Sequence, residues 1–206
     1  MSPESPAFPV YLDDGDAPSK RAVVTAALRL FVKQGMAGTT VREIAAEAGF
    51  TNPVLFKYFA GRDELAAFLF ERCYRTFSVR LHGALAGDRP FAAQLKALVG
   101  TFTRSMDEDL DAHLFVQENL RQMWLSAKAD LRRHSIFRII LRLFEEGRAQ
   151  EAIDPTLDPR LLTVAAIGVM GQLARSLYFH ELPSARAVDL QEEIYRLLSN
   201  LIRKPR

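Results

Sequence analysis

Residues 39–65, TTVREIAAEAGFTNPVLFKYFAGRDEL, decide the fold. Thr40 opens a short helix and Glu43 follows three residues later, the spacing of a capping box, in which hydroxyl and carboxylate each satisfy a backbone N–H that the first turn leaves without a partner. Ile44 and Ala45 then face inward, and Ala48 ends the helix. Gly49 supplies the backbone freedom of a sharp turn. Thr51 or Asn52 caps the next helix, Pro53 suits its first turn, and a further helix starts near Gly61. A helix, a glycine turn and a second short helix form the arrangement whose second helix enters the DNA major groove.

The chemistry of the segment agrees with that reading. Three helix N-termini, at Thr40, Thr51 and Gly61, offer N–H groups and partial positive charge to phosphate. Lys57 has the donors for guanine O6 or N7, and Asn52 for adenine. Alone, Lys57 reads as a solvated lysine and the Thr40 box as a structural device. Phe59 reads as core, and Tyr58 as readily core as reader. One such helix reads few base pairs, so useful specificity needs two copies about 34–36 Å apart along the duplex.

The chain around it has 206 residues, 49% hydrophobic and 25% charged, ordinary for a globular protein. Its net charge is only +2. Between Ser19 and Leu65, however, seven Lys/Arg (Lys20, Arg21, Arg29, Lys33, Arg42, Lys57, Arg62) meet four acids (Glu43, Glu47, Asp63, Glu64), a local net of +3. Cys73 is the single cysteine, which excludes an intrachain disulfide and fits a reducing compartment. Residues 1–18 are acidic and proline-rich, unlike a signal peptide, and are expected to form a flexible arm in which only Phe8, Val10, Tyr11 and Leu12 have anything to dock. The most apolar run, Leu161 to Ala174, has 14 residues against the ~20 of a bilayer span. It reads as a buried helix, and the protein as cytoplasmic with no membrane partner.

Apolar periodicity predicts an all-α chain throughout, with no strand hairpin and no repeat. Val23, Ala27, Leu30 and Phe31 mark one face of a first helix stopped by Gly35. Leu65, Phe68, Leu69, Cys73 and Phe77 mark a longer helix, broken by Gly83, Gly87 and Pro90. A helix from about Phe91 to Met106 turns Leu95, Leu98, Val99 and Phe102 inward. One or two short helices run through Trp124. A single helix is expected from Lys128 to Gln150, with Ile136, Phe137, Ile140, Leu141 and Phe144 in register. After a turn at Asp154–Pro159 come Pro159–Tyr178 and Val188–Ile202. The architecture is a three-helix head with a C-terminal helical bundle, about nine helices in all.

TTVREIAAEAGF followed by TNPVLFKYFAGRDEL resembles the N-terminal domain of the TetR family of transcriptional regulators, over about residues 19–66. Beyond the arm over 1–18, the resemblance implies a DNA-binding domain over 19–66 and an effector-binding and dimerisation domain over 67–206. It also implies a homodimer on a palindromic operator in double-stranded DNA, acting as a repressor released by a small molecule; no enzymatic activity and no cofactor are expected. Carried onto this chain, Asn52, Pro53, Val54, Lys57 and Tyr58 fall where the family touches bases and grooves. Thr40, Arg42 and Thr51 fall at phosphate contacts, and Arg62 stands where lysine is usual. Phe56 departs from the family's tyrosine and loses a hydroxyl that often meets phosphate. Pro53 replaces a frequent glycine, and its ring is suited to a thymine methyl.

The C-terminal region offers two surfaces. The helix carrying Leu161, Ala165, Gly168 and Gly171 is apolar nearly all round and should be buried on more than one side. With Ile194, Leu197, Leu198 and Leu201 of the last helix it reads as a two-fold, four-helix interface, or otherwise as the centre of a monomeric bundle. Phe102, Met106, Phe115, Met123, Trp124, Phe137, Leu141 and Met170 are apolar and partly soft. They are candidates for an adaptable ligand site, with His113 and Arg121 among the groups able to orient a largely apolar ligand; plain core is the competing reading. His82, His113, His134 and His180 lie far apart with no cysteine at zinc spacing, and no catalytic motif appears. The alternative function is a helical small-molecule carrier or enzyme with a vestigial head. An architectural DNA binder without an effector is the third reading.

Overall fold

The structure is a computed structural model and describes residues 11–182, 184 and 186–202. Every regular element among them is helical. In order they are α1 (Pro18–Gln34), α2 (Val41–Glu47), α3 (Asn52–Phe56), α4 (Arg62–Leu85), α5 (Phe91–Glu108), α6 (Leu110–Ser126), α7 (Ala129–Arg133), α8 (Ile136–Ala149), α9 (Pro159–Tyr178) and α10 (Gln191–Leu201), with a 3-10 turn at Ala187–Leu190. They form two compact units, Met1–Thr76 with Asp111–Ala127, and Phe77–Leu110 with Lys128–Arg206.

In the first unit, α1 buries Val23, Val24, Ala27, Leu28 and Phe31, while Leu30 is only half-buried. Ile44, Leu55, Phe59, Leu65 and Leu69 complete the core of the head. Gly35 ends α1 at φ 76°, a conformation open to glycine and strained for other residues. α6 is one helix of 17 residues, where the sequence suggested one or two short ones. Its Phe115 is wholly buried and stacks on Phe31, with ring centroids 5.7 Å apart. The expected arm is anchored from Tyr11 onward: Tyr11 is buried, Arg21 donates to the Asp13, Asp14 and Asp16 carbonyls, and Arg72 pairs with Asp13. Burial presses the Asp16 carboxyl upward. The Lys20 hydrogen bond, the Asp13 backbone and the Lys20 and Arg72 charges together outweigh it and hold the group below its ordinary range. Phe8 and Val10 lie outside the described residues.

In the second unit, α8 packs on α9, and α5 meets α8, α10 and the 3-10 turn. The single helix expected over Lys128–Gln150 is two, because the chain breaks at His134–Ser135 and Ser135 becomes the cap residue of α8. The Ser78 hydroxyl donates to the His134 carbonyl at 2.5 Å and ties this corner to α4. The buried face of α8 differs from the expected one. Ile140, Leu143, Phe144 and Gly147 face inward, Leu141 is half-buried, and Phe137 is exposed. Gly147 is required by close packing, since a Cβ there would stand 2.3 Å from Phe91 Cδ2. α4 likewise continues past Gly83 to Leu85.

α9 has the bounds the sequence suggests, capped by the Asp158 carboxylate, which accepts from the Arg160 N–H at 2.8 Å. As a 20-residue helix it is long and apolar enough to cross a bilayer by length and composition, which the 14-residue core of the run was not. Burial on more than one side is not what the protomer shows. Leu162, Ala166, Met170 and Leu173 are buried, but Leu161 and Val164 are 69% and 57% exposed. On α10, Ile194 and Leu198 belong to the protomer's own interior, while Leu197 and Leu201 are 51% and 49% exposed.

Candidate nucleic-acid interface

The head builds its outward face from local rules. The capping box of α2 is complete: the Glu43 N–H donates to Thr40 Oγ1 at 3.2 Å, and the Thr40 N–H to Glu43 Oε2 at 2.7 Å. The Thr40 hydroxyl also donates to Glu43 Oε2, at 2.7 Å. Hydrogen bonds from the Thr40 side chain and backbone, then from Gln34, hold the Glu43 carboxyl below its ordinary pKa. Thr40 is thus engaged within the head first, and a phosphate must share its N–H groups with Glu43.

α2 ends in a Schellman turn. The Phe50 N–H donates to the Ala45 carbonyl at 2.8 Å and the Gly49 N–H to that of Ala46 at 3.0 Å. Gly49, at φ 75°, takes the left-handed position that this turn demands. The turn sets α3 with Leu55 buried beneath and Thr51, Asn52, Pro53, Phe56 and Lys57 exposed, Val54 and Tyr58 being half-buried. Thr51 is the cap residue of α3 but makes no side-chain cap bond, and the first turn of α3 carries no acid.

Tyr58 is half-buried. Its hydroxyl is 2.7 Å from Ser19 Oγ, which fixes the ring against the start of α1, and the Lys57 ammonium lies 5.4 Å from the ring centroid. Phe59 is core and packs against Phe68 at 5.2 Å. Arg62 is held at the same end of the head as Thr40: Nη1 donates to the Thr39 carbonyl at 3.2 Å, and Nη2 pairs with Asp63 at 2.9 Å. Glu64 accepts from the Ala60 N–H at 2.5 Å, a local cap at the start of α4. Asn52, Pro53, Phe56 and Lys57 form an exposed ridge, with Arg42 exposed on α2 and Arg62 half-buried at the start of α4. Proteins position on phosphate with cations and read base edges with side-chain donors, and the head carries both kinds of group.

A helix-turn-helix that presents its second helix in this way has the form of a DNA-reading head. Residues 23–68 match the family described as bacterial regulatory proteins, tetR family. Among solved structures, the chain is similar to the ketosteroid transcriptional regulator KstR2 of Mycobacterium tuberculosis at 15% identity and TM-score 0.82, over 96% of this chain and all (100%) of that one. It is also similar to the fatty acid degradation regulator FadR from Bacillus halodurans at 18% identity and TM-score 0.72, over 90% and 96%. A third likeness is FadR from Bacillus subtilis in complex with stearoyl-CoA, at 19% identity and TM-score 0.70, over 89% and 100%. At such identities these likenesses speak for the fold. No curated protein sequence matches the chain.

The residues suggested for ligand binding divide between the units. His113, Phe115, Arg121, Met123 and Trp124 belong to the first, where Trp124 packs on Tyr74 at 5.1 Å and Arg121 is exposed. Phe102, Met106, Phe137, Leu141 and Met170 belong to the second. That unit contains a cavity of about 540 Å³ lined by other residues, among them Arg133, Arg138 and Arg142. The i, i+4 pair Arg138/Arg142 beside Ile139/Leu143 on α8 was the sequence signal for it. Among the described residues no group of three or more His, Cys, Asp or Glu is placed to hold a metal ion.

Proposed function

We propose that this regulator is a cytoplasmic homodimeric repressor that binds a palindromic operator and releases it when a small, largely apolar molecule enters its C-terminal helices. The observation that carries the DNA half is the exposed ridge of α3, with Asn52 and Lys57 turned to solvent in a head that also exposes Arg42. Lys57 and Asn52 read base edges, with Pro53, Val54 and Tyr58 shaping the contact. Thr40, Arg42, Thr51 and Arg62 meet phosphates. The protein works by binding, without catalysis of its own.

Duplication is supported by the apolar stripe Leu161, Val164 and Gly168 on α9 with Leu197 and Leu201 on α10. A second copy would bury that stripe, with Ala165 and Gly171 permitting close approach. The effector class is supported by the names of the fold's relatives, which concern fatty acids, a ketosteroid and stearoyl-CoA. Release then follows from differential affinity: an effector favouring a conformer whose reading heads are misspaced lowers operator affinity by the ratio of its affinities for the two conformers.

The test compares Lys57→Ala and Arg62→Ala on a duplex selected by the wild type. Lys57→Ala should flatten base preference. Arg62→Ala should weaken all duplexes alike and reduce the slope of log K against log salt by about one. Equal losses on every duplex from both changes would contradict the assignment of roles.

A further inference from the structure

The cavity of the second unit, about 540 Å³, is unlike a gap in a core. Its floor is apolar: Leu143 is buried, and Leu85 and Ile139 are half-buried. Gln94 also lines it, a polar side chain only 3% exposed whose Nε2 reaches the Gly87 carbonyl at 3.4 Å. Its rim is cationic, with Arg133, Arg138 and Arg142 against the single carboxylate Glu146. Glu146 is already taken by Arg142 Nε at 2.8 Å. Asp130 lies 4.0 Å from Arg133, at the outer limit of an ion pair. Arg138 has no ion pair among the described residues. Three guanidiniums on one cavity with a deficit of carboxylate repel one another until an anion joins them, and the planar fork of arginine suits carboxylate and phosphate oxygens.

We propose that this cavity binds an amphiphilic anion, a carboxylate or phosphate head on an aliphatic stem, with Arg138 and Arg142 gripping the head and Leu85, Ile139 and Leu143 taking the stem. The volume lies within the range of small-molecule sites and exceeds what a bare phosphate needs. Spaced four apart on α8, Arg138 and Arg142 stand on one helix face above Ile139 and Leu143, so one helix presents both parts of the ligand with its own polarity. Release of DNA on occupancy rests on the regulator reading above; binding of the anion does not.

The full chain is titrated by calorimetry with octyl phosphate below its micelle concentration, with 1-octanol, and with inorganic phosphate. Octyl phosphate should bind once per protomer, at least about tenfold tighter than either half alone. The double variant Arg138→Gln/Arg142→Gln changes two exposed side chains. It should lose about tenfold for octyl phosphate and nothing for octanol, with an unchanged melting temperature. Octanol binding as tightly as octyl phosphate, or a double variant that binds octyl phosphate like the wild type, would overturn the proposal. So would sedimentation with phosphatidylglycerol vesicles in the absence of monomer binding, which would make the rim a membrane contact. A gel shift on the selected duplex separates the two readings. DNA binding without octyl phosphate binding removes only the cavity's role, and the converse removes only the regulator.

Discussion

Replacing Gly49 by alanine isolates the backbone cost of the turn that aims α3. Gly49 sits at φ 75° between two short hydrogen bonds, and a Cβ built on it meets nothing within 4 Å. No clash and no lost contact enters the comparison, so the cost is that of holding an L-residue in the left-handed region, about 1–2 kcal/mol. Trp124 is the only tryptophan and belongs to the unit that contains Gly49, so its fluorescence follows unfolding of that unit. With an m-value of about 2 kcal/mol/M in urea, the midpoint should fall by about 0.5–1 M. Gly49→Asn should lose about half as much, because asparagine tolerates the left-handed region. Both variants should weaken operator binding in the same order, since the turn sets the angle at which α3 leaves α2. A Gly49→Ala midpoint equal to that of the wild type, or an asparagine variant worse than the alanine one, would refute the reasoning.

Four further outcomes are expected. Glu151 and His180 occupy left-handed positions at φ 56° and 55° after α8 and α9, so Glu151→Gly and His180→Gly should each raise stability by up to about 1 kcal/mol in thermal unfolding, and a loss would contradict the strain. Gly147→Ala should cost about 1–3 kcal/mol, because its Cβ would stand 2.3 Å from Phe91 Cδ2 and 2.9 Å from Ile153 Cδ1; an unchanged melting temperature would show that this packing can relax. Thr40→Ala should cost about 1 kcal/mol through the lost cap, read by urea unfolding. Glu43 has a folded pKa below its ordinary 4.5, so its contribution is present above that value and is lost as pH falls through the folded one; the acid side of the stability profile should therefore flatten in Thr40→Ala, and an identical slope would exclude the capping box as its source.

What the sequence disclosed was what neighbouring residues decide. The capping box needs only Thr40 and Glu43, and the turn only Gly49, so the head could be read directly from residues 39–65. α9 could be bounded because Asp158–Pro159 starts it and the apolar run continues to Tyr178. The helix break at Ser135 left no such mark. No glycine or proline stands there, and the hydrogen bond to His134 that fixes the corner comes from Ser78, 56 positions earlier. Phe137 was expected inward and is exposed, because the buried face of α8 runs through Ile140, Leu143, Phe144 and Gly147. Tyr11 is buried by tertiary contact that a proline-rich acidic segment does not advertise. The full lining of the cavity was illegible for the same reason, since it combines the length of α8 with the ends of α4, α5 and α7.

The central claim is that α3 is presented outward in duplicate, so that two copies read successive major grooves. Selection of bound sequences from a random duplex pool by the full chain tests it most directly. The account predicts enrichment of an inverted repeat whose half-sites lie about one helical turn apart, ~34–36 Å centre to centre, or a multiple of it. Recovery of a single unrepeated site, or of no enriched sequence at all, would contradict it.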